Sequence, residues 1–262
     1  MKLHRIYGTI LRYMYVFKHS INRMSDAFYW PTIDLLLWGL TVSYAKSLSP
    51  TSSQNVILMV VSGILLWLVV WRGQYEISVN LLEELWSRNL INMFVSPLKL
   101  SEWVISTVLL SFIKAFASVI FASFVAYGLY KVEIFSFGFY LIPFMILLFM
   151  TGWWVGFFVA GLIFRYGTRV EQFAWSMIYI IAPFSVIYYP LAILPSWAQK
   201  IAMFVPTSYI FEGAREVIYK GTVDPKKLLI SFVLNSIYLI LSLIFLKKSF
   251  DKTLEKGLVK VL

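Results

Sequence analysis

Residue types that carry out catalysis are scarce in this sequence. Cysteine is absent, which excludes disulfides, thiolate metal sites and thiol nucleophiles. The two histidines, His4 and His19, both lie close to the N-terminus. None of the patterns H-E-x-x-H, G-x-S-x-G and G-x-x-x-x-G-K-[ST] occurs. We therefore expect no catalytic residues and no metal site, and if nucleotide hydrolysis drives this protein, another chain must supply it.

Two charged residues, Asp34 and Lys114, interrupt long apolar stretches. At the centre of a lone membrane-spanning helix, each would cost about 2.5–3.5 kcal/mol. They could line a polar pathway or pair with each other, or they could lie near a membrane interface and reach the headgroups. Together with Glu171 they are too few and too far apart in sequence to indicate the site of a membrane-embedded enzyme.

Long apolar helices are the elements that must position these residues. Hydrophobic residues make up 60% of the chain, against about 45–50% in soluble domains, and the mean hydropathy is +0.78. Six stretches approach or exceed the ~20 residues that span a bilayer. We predict an all-α membrane protein with one transmembrane domain, 1–262, whose spans are 25–46, 54–75, 102–130, 136–165, 171–194 and 226–247.

The distribution of basic residues predicts the orientation of the chain. Residues 1–24 form an amphipathic pattern with Ile6 and Ile10 on one face and Arg5 and Arg12 on the other, typical of a helix lying in the membrane interface. Basic residues are also concentrated near the C-terminus and in alternate loops. The positive-inside rule then predicts a multi-pass protein of the cytoplasmic (inner) membrane with both termini cytoplasmic. Since the net charge of +10 follows this pattern, we expect no nucleic-acid binding.

Two long loops and two helix features complete the pattern. The cytoplasmic loop 76–101 contains a predicted short amphipathic helix, Leu81–Phe94. The outer loop 195–225 is predicted to form re-entrant helices, with a pair between Glu212 and Arg215 one turn apart. Gly152, Gly156 and Ala160 recur at four-residue spacing and indicate close packing of helices, more within one chain than between chains.

The loop motifs resemble those of the permease subunits of ABC-2-type ABC transporters, over nearly the whole chain. The first motif is Glu83-Glu84-Leu85-Trp86-Ser87-Arg88-Asn89-Leu90, with Phe94-Val95-Ser96-Pro97-Leu98 and Glu102-Trp103 after it. The second runs from Tyr189-Pro190 through Leu194-Pro195-Ser196-Trp197 to Pro206-Thr207-Ser208-Tyr209-Ile210-Phe211-Glu212-Gly213-Ala214-Arg215.

The resemblance implies specific partners and sites. Such permeases bind separate ABC ATPase subunits, which hold the ATP and Mg²⁺, and they pair with a second permease chain, here expected as a homodimer, among membrane lipids. Residues implied in coupling to the ATPase are Glu83, Glu84, Trp86, Ser87, Arg88 and Asn89. An outer gate is implied at about Tyr188–Tyr219 and includes Pro195, Pro206, Tyr209, Glu212 and Arg215. Residues implied in lining the translocation path, on the second and fifth spans, are Trp67, Trp71, Trp175, Tyr179 and Pro183.

The expected function is therefore ATP-driven export of a lipid, amphipathic small molecule or drug. Export of a polysaccharide or glycolipid is an alternative that is less favoured, because no span carries a dense aromatic ladder and no stretch resembles a carbohydrate-binding domain. An ATP-independent transporter or scramblase is a further alternative. Such folds often contain inverted repeats, and the sequence shows no internal repeat.

Overall fold

The computed structural model describes residues 1–48 and 54–256, and within these ranges the chain is helical, as the predicted all-α class requires. The α-helices are α1 Leu3–His19, α2 Ile21–Leu48, α3 Gln54–Trp86, α4 Leu90–Val95, α5 Leu100–Tyr130, α6 Leu141–Tyr166, α7 Gln172–Ile181, α8 Ser196–Ala202, α9 Pro206–Lys220 and α10 Pro225–Lys256. Short 3-10 helices occupy Ile134–Tyr140, Gly167–Val170, Ala182–Ser185 and Leu191–Ile193. The predicted domain 1–262 also covers 49–53 and 257–262, which lie outside the described residues.

Among the described residues, 4 helical segments are long and apolar enough to cross a membrane: Val56–Trp86, Leu100–Tyr130, Ile134–Val170 and Pro225–Glu255. They overlap the predicted spans 54–75, 102–130, 136–165 and 226–247, and the first extends well beyond residue 75. The predicted first span lies within α2, a 28-residue helix that carries several charged residues. The predicted fifth span is not one helix, because α7 ends at Ile181 and a 3-10 turn containing Pro183 follows. Spans at 25–46 and 171–194 therefore stay predictions.

Helix α3 continues well beyond the end predicted for it. The predicted short helix over Leu81–Phe94 is wrong: its first part is the end of α3, and a turn at Ser87–Asn89 separates α3 from α4. Arg88 in this turn has a positive φ of 52°. The charged residues of this stretch predict a loop from residue 76 onwards, but Glu76, Glu83 and Glu84 pair with cations of α5, α2 and α1, so the helix persists.

The centre of the bundle is α3, where nearly every residue from Val60 to Leu85 is buried. It contacts α2, α5 and α6, while α10 packs against α6. The predicted small-residue stripe is confirmed as a packing seam within the chain. A Cβ atom added to Gly152 would lie 2.6 Å from the carbonyl oxygen of Val70, and one on Gly156 would lie 2.9 Å from Cβ of Ile77. Only glycine permits so close an approach of two helices.

The bundle has two ends, which we name by their helices. The near face comprises α1, α4 and the last turns of α3, with the ends of α6 and α10 beside them, where Thr253 Oγ1 donates to the carbonyl of Phe164 at 2.6 Å. The far face comprises α8, α9 and the 3-10 helix Ile134–Tyr140. There the Tyr238 hydroxyl of α10 donates to the carbonyl of Phe204 at 2.8 Å.

Candidate functional site

A buried cluster of charges joins α2, α3 and α5 inside the bundle. The Glu76 carboxylate of α3 forms ion pairs with two cations. Nη2 of Arg72 lies 2.7 Å from Oε1, and Nζ of Lys114 lies 2.7 Å from Oε2. All three side chains are at most 2% exposed. Asn80, one turn along α3, donates to Glu76 Oε2 at 3.3 Å and accepts from Nη1 of Arg23 at 2.7 Å. The Glu76 carboxylate thus binds cations of α3 and α5 directly and is linked through Asn80 to a cation of α2.

Aromatic rings surround the cations of this cluster. The guanidinium carbon of Arg72 lies 5.7 Å from the ring centre of Trp71 and 5.3 Å from that of Tyr75. Nζ of Lys114 lies 4.6 Å from the ring of Phe17, which α1 contributes. These distances permit cation–π attraction, which is strongest where water is excluded. The predicted alternative in which Lys114 pairs with Asp34 is wrong, because its partner is Glu76; Asp34 is exposed on α2.

On the near face, ion pairs hold the residues implied in coupling against the N-terminal helices. Glu84 is buried and accepts from Arg12 of α1 at 2.7 Å and from Asn89 at 2.6 Å. Glu83 pairs with the buried Arg23 of α2. These two glutamates therefore fix α1 and α2 to the end of α3, Glu84 from a buried position and Glu83 from a half-buried one.

A second anchor of α1 lies at the start of α5. The Glu102 carboxylate accepts the backbone N–H groups of Lys2 at 2.8 Å and Lys99 at 3.0 Å. Farther along α1, the Tyr13 hydroxyl is buried and accepts from the indole N–H of Trp103 at 3.4 Å. Burial and the nearby Glu84 raise the pKa of Tyr13, which keeps the hydroxyl neutral. Helix α1 is therefore an integral part of the near face.

The other implied coupling residues lie at the surface of the near face. Trp86 is 49% exposed, and its indole N–H donates to Glu171 at 3.1 Å. Ser87 and Arg88 are exposed and Asn89 is half-buried. Val95 at the end of α4 is 77% exposed. Between α1 and α4 runs a groove of 370 Å³, lined among others by Arg5, Arg12, Asn92 and Pro97.

On the far face, Arg215 of α9 binds the irregular segment that follows the 3-10 turn Ala182–Ser185. Its Nη2 atom donates to the carbonyls of Val186 and Tyr189, the latter at 2.6 Å, and its Nη1 pairs with Glu212 at 2.9 Å. Glu212 also accepts the backbone N–H of Leu191 at 2.8 Å. The predicted pair between Glu212 and Arg215 is confirmed. Burial lowers the pKa of the Arg215 guanidinium, and the nearby Glu212 carboxylate offsets only part of this effect.

The other residues implied in the gate begin or brace short helices. Pro195 precedes α8, and Pro206 is the first residue of α9. The fixed φ of proline suits this first position, where no N–H is needed. The Tyr209 hydroxyl donates to the carbonyl of Met203 at 2.9 Å, which ties α9 to the end of α8.

The residues implied in lining a path occupy two levels of the bundle. Trp67 is 8% exposed, and its ring centre lies 6.3 Å from that of Phe211, a residue of α9 on the far face. The ring centres of Trp71 and Tyr75 lie 4.9 Å apart, and those of Tyr75 and Trp175 of α7 lie 5.6 Å apart. The exposed side chains of this set are Trp175, Tyr179 and Pro183. The structure thus brings Trp71 and Trp175 to one aromatic patch and leaves Trp67 apart from it.

Sequence reasoning missed the centre of the charge cluster. The sequence predicts Glu76 at the start of the cytoplasmic loop and Arg72 at the end of the preceding span, because a run with Arg, Gln and Glu ends the apolar stretch. One local signal could have found them: Arg72, Glu76 and Asn80 recur every four residues, which places them on one stripe of a continuing helix. The partners Arg23 and Lys114 gave no local signal, since they lie far away in sequence.

Comparison with known proteins agrees with this architecture. Within the described residues, no group of three or more His, Asp or Glu side chains is placed to hold a metal ion. A search of curated proteins finds no match. The family model described as ABC-2 family transporter protein matches residues 30–246. Because that match covers most of a chain with several apolar helices, the protein belongs to the ABC-2 family of transporter proteins and is a multi-pass membrane component of a transport system.

Proposed function

We propose that the chain is the permease subunit of an ATP-driven exporter, powered by a separate ABC ATPase. Its cargo is a lipid, an amphipathic small molecule or a drug, carried across the cytoplasmic membrane. The observation that carries the proposal is the single unbroken helix α3, which connects the exposed turn and helix of the near face to the gate-like segment of the far face.

Helix α3 has the length and contacts that this role needs. Its 33 residues extend about 48 Å at 1.5 Å per residue. At the far end, a Cβ atom on Gly63 would lie 3.0 Å from the carbonyl of Ile187, and Trp67 packs on Phe211 of α9. At the near end, α3 leads directly into the turn before α4. A displacement of α4 therefore reaches the far face through one rigid element.

The surface around α4 has the character of a protein docking site. Trp86, Arg88 and Val95 are exposed there, and exposed Trp and Arg are the residues most often responsible for binding energy at interfaces. The pairs of Glu83 with Arg23 and of Glu84 with Arg12 tie this surface to α1 and α2. A load applied by an ATPase would be shared among three helices instead of bending α4 alone.

The proposed arrangement in the membrane has six spans with the near face cytoplasmic. The basic residues of α1 and of the end of α10 favour this orientation by the positive-inside rule. A second copy of the chain would complete the path against the exposed aromatic side chains of α7, Trp175 and Tyr179. The first and fifth spans are then α2 and the segment from α7 to Leu194.

The test is co-purification with the partner ATPase, followed by substrate-free ATPase measurements and transport in proteoliposomes. We expect Arg88→Ala and Val95→Asp to weaken retention of the ATPase and to lower transport, because both remove exposed contacts without disturbing the core. The matched control is Arg169→Ala, an exposed arginine of the near face outside α4. ATPase retention equal to that of the control in both variants would reject the docking surface. Transport by the permease alone, without ATPase or ATP, would instead favour an ATP-independent transporter or scramblase.

A further inference from the structure

A cleft separates α5 from the start of α6 on the outside of the bundle. Its volume is 530 Å³, and nearly all of its lining is apolar. Phe116, Ile120 and Phe124 of α5 form one wall, and Leu141 and Met145 of α6 form the other. The proposed transport function gives none of these residues a role.

Packing between the two helices closes the inner end of the cleft. The ring centre of Phe112 lies 4.2 Å from that of Phe149 and 5.0 Å from that of Trp153. The indole N–H of Trp153 also donates to Ser111 at 2.8 Å. Toward the far face the two helices are held apart, and the 3-10 helix Ile134–Tyr140 connects them. The cleft is therefore a wedge on the outside of the bundle that narrows along α5 and α6 toward Phe112.

The extent of the cleft along α5 is close to the thickness of the hydrocarbon in one leaflet. Phe116 and Tyr127 mark its two ends on α5, about 16 Å apart along the helix axis at 1.5 Å per residue. Half of a hydrocarbon core of ~30 Å is about 15 Å. Tyr127 and Tyr130 lie where an aromatic belt is expected, at the boundary between hydrocarbon and headgroups. A lipid acyl chain entering beside Tyr127 would end at the closed inner end.

The mouth of the cleft carries one charge of each sign. Nζ of Lys131 lies 5.1 Å from the ring of Tyr127, which lines the cleft, and Glu133 lines the mouth itself. Both residues are exposed. An ammonium group and a carboxylate two residues apart complement a headgroup that has both a phosphate and an amine. A headgroup with negative charge alone would bring its phosphate close to Glu133.

We propose that this cleft binds one amine-bearing zwitterionic phospholipid of the leaflet at the far face. One acyl chain lies between α5 and α6, the phosphate lies beside Lys131, and the ammonium lies beside Glu133. Within a bilayer, exchanging lipid contacts for apolar side chains provides little driving force, so selectivity comes from the fit of the chain in the wedge and from the two headgroup contacts.

Native mass spectrometry of the full chain in detergent tests this site, with phosphatidylethanolamine and phosphatidylglycerol added in separate titrations. We expect one phosphatidylethanolamine to be retained more tightly than phosphatidylglycerol. Ser123 lines the cleft, so Ser123→Trp should fill it and lower the affinity about tenfold, or about 1.4 kcal/mol, because the acyl chain can no longer enter. Lys131→Gln should lower it about two- to fivefold, as expected for an exposed charge contact.

A matched control separates loss of the site from loss of structure. Ser236 on α10 is half-buried and donates to the carbonyl four residues earlier, as Ser123 does. Ser236→Trp should retain the lipid. Equal retention by both tryptophan variants, or equal binding of the two lipids to the wild type, would overturn the proposal. If Ser123→Trp fails to fold, the Lys131→Gln result decides.

A second copy of the chain is the competing occupant of the cleft. Because the chain has no cysteine, Phe124→Cys places a single thiol on the wall of the cleft. We expect no disulfide-linked dimer when the variant is oxidised in membranes. Efficient crosslinking between copies would show that protein, not lipid, covers this wall.

Discussion

Nζ of Lys114 lies 2.7 Å from Oε2 of Glu76, and both side chains are buried inside the bundle. The lysine comes from α5 and the glutamate from α3, so the pair fixes these helices at one level. Arg72 occupies the other oxygen of the same carboxylate. Removing the glutamate would leave two buried cations without their counter-charge, whereas removing one cation would leave the second in place.

Glu76→Gln should therefore destabilise the protein by about 3–5 kcal/mol, the usual cost of breaking a buried ion pair by removing one partner. Thermal unfolding of the purified chain in detergent measures this loss. The matched control is Glu216→Gln on α9, whose carboxylate pairs with Lys227 at 3.2 Å at the surface. Exposed pairs contribute about 0–1 kcal/mol. An equal loss in both variants would contradict the central role of Glu76.

Arg12 and Glu84 should show a measurable coupling energy of about 1 kcal/mol in a double-mutant cycle with alanine. The Glu84 side chain is only 3% exposed, so its carboxylate is shielded from water although the Arg12 side chain is 45% exposed. The comparison pair is Lys220 with Glu216, which are 3.7 Å apart on the surface of α9. For that pair we expect about 0.3–0.5 kcal/mol. A coupling of zero between Arg12 and Glu84 would show that α1 is not held through this contact.

Gly152→Ala should lower stability by about 1–3 kcal/mol, the usual cost of overpacking. The added Cβ atom would meet the carbonyl oxygen of Val70 and the Cα atom of Gly73 at 2.6 and 2.9 Å, and backbone atoms cannot move aside cheaply. Gly128→Ala on α5 is the control, because no atom lies within 4 Å of its added Cβ. There we expect a gain of about 0.5–1 kcal/mol from helix propensity. Unfolding curves of the two variants should shift in opposite directions.

Arg215→Lys should destabilise the far face by about 1.5–3 kcal/mol, the range for hydrogen bonds to charged groups. Lysine keeps the charge but cannot bind Glu212 and several carbonyls with the geometry of a guanidinium. Hydrogen exchange of residues 186–191 should increase, because Arg215 and Glu212 bind the backbone there. Arg169→Lys, at an exposed position, should leave exchange in this segment unchanged.

The sequence predicts features that depend on neighbours along the chain. Gly152 and Gly156 recur at helical spacing, and Glu212 precedes Arg215 by one turn, so the packing seam and the pair follow from local rules. The four long apolar helices, at Val56–Trp86, Leu100–Tyr130, Ile134–Val170 and Pro225–Glu255, follow from hydropathy. These are the parts of the fold that one-dimensional patterns can predict.

The end of α3 could not be predicted in this way. Whether Glu76, Glu83 and Glu84 form a solvated loop or a buried helix depends on cations supplied by other helices. Arg23 reaches Glu83 across 60 positions, and Arg12 reaches Glu84 across 72. Without those partners, a charged run after an apolar stretch is correctly interpreted as leaving the membrane. The resemblance to ABC-2-type permeases implies Glu83 and Glu84 in coupling to an ATPase, whereas their side chains pair with Arg23 and Arg12 of the N-terminal helices.

The sharing of Glu76 constrains the order in which the protein is assembled during synthesis. Arg72 precedes Glu76 by one turn on the same helix, so this pair can form as soon as α3 is helical, before any other helix is present. Arg23 has by then been made, whereas Lys114 emerges later with α5 and must find a carboxylate that Arg72 already occupies on one oxygen only. The second oxygen of Glu76 therefore accepts Lys114 when α5 packs against α3, and this pairing offsets the cost of about 2.5–3.5 kcal/mol that the lysine would have in a lone spanning helix.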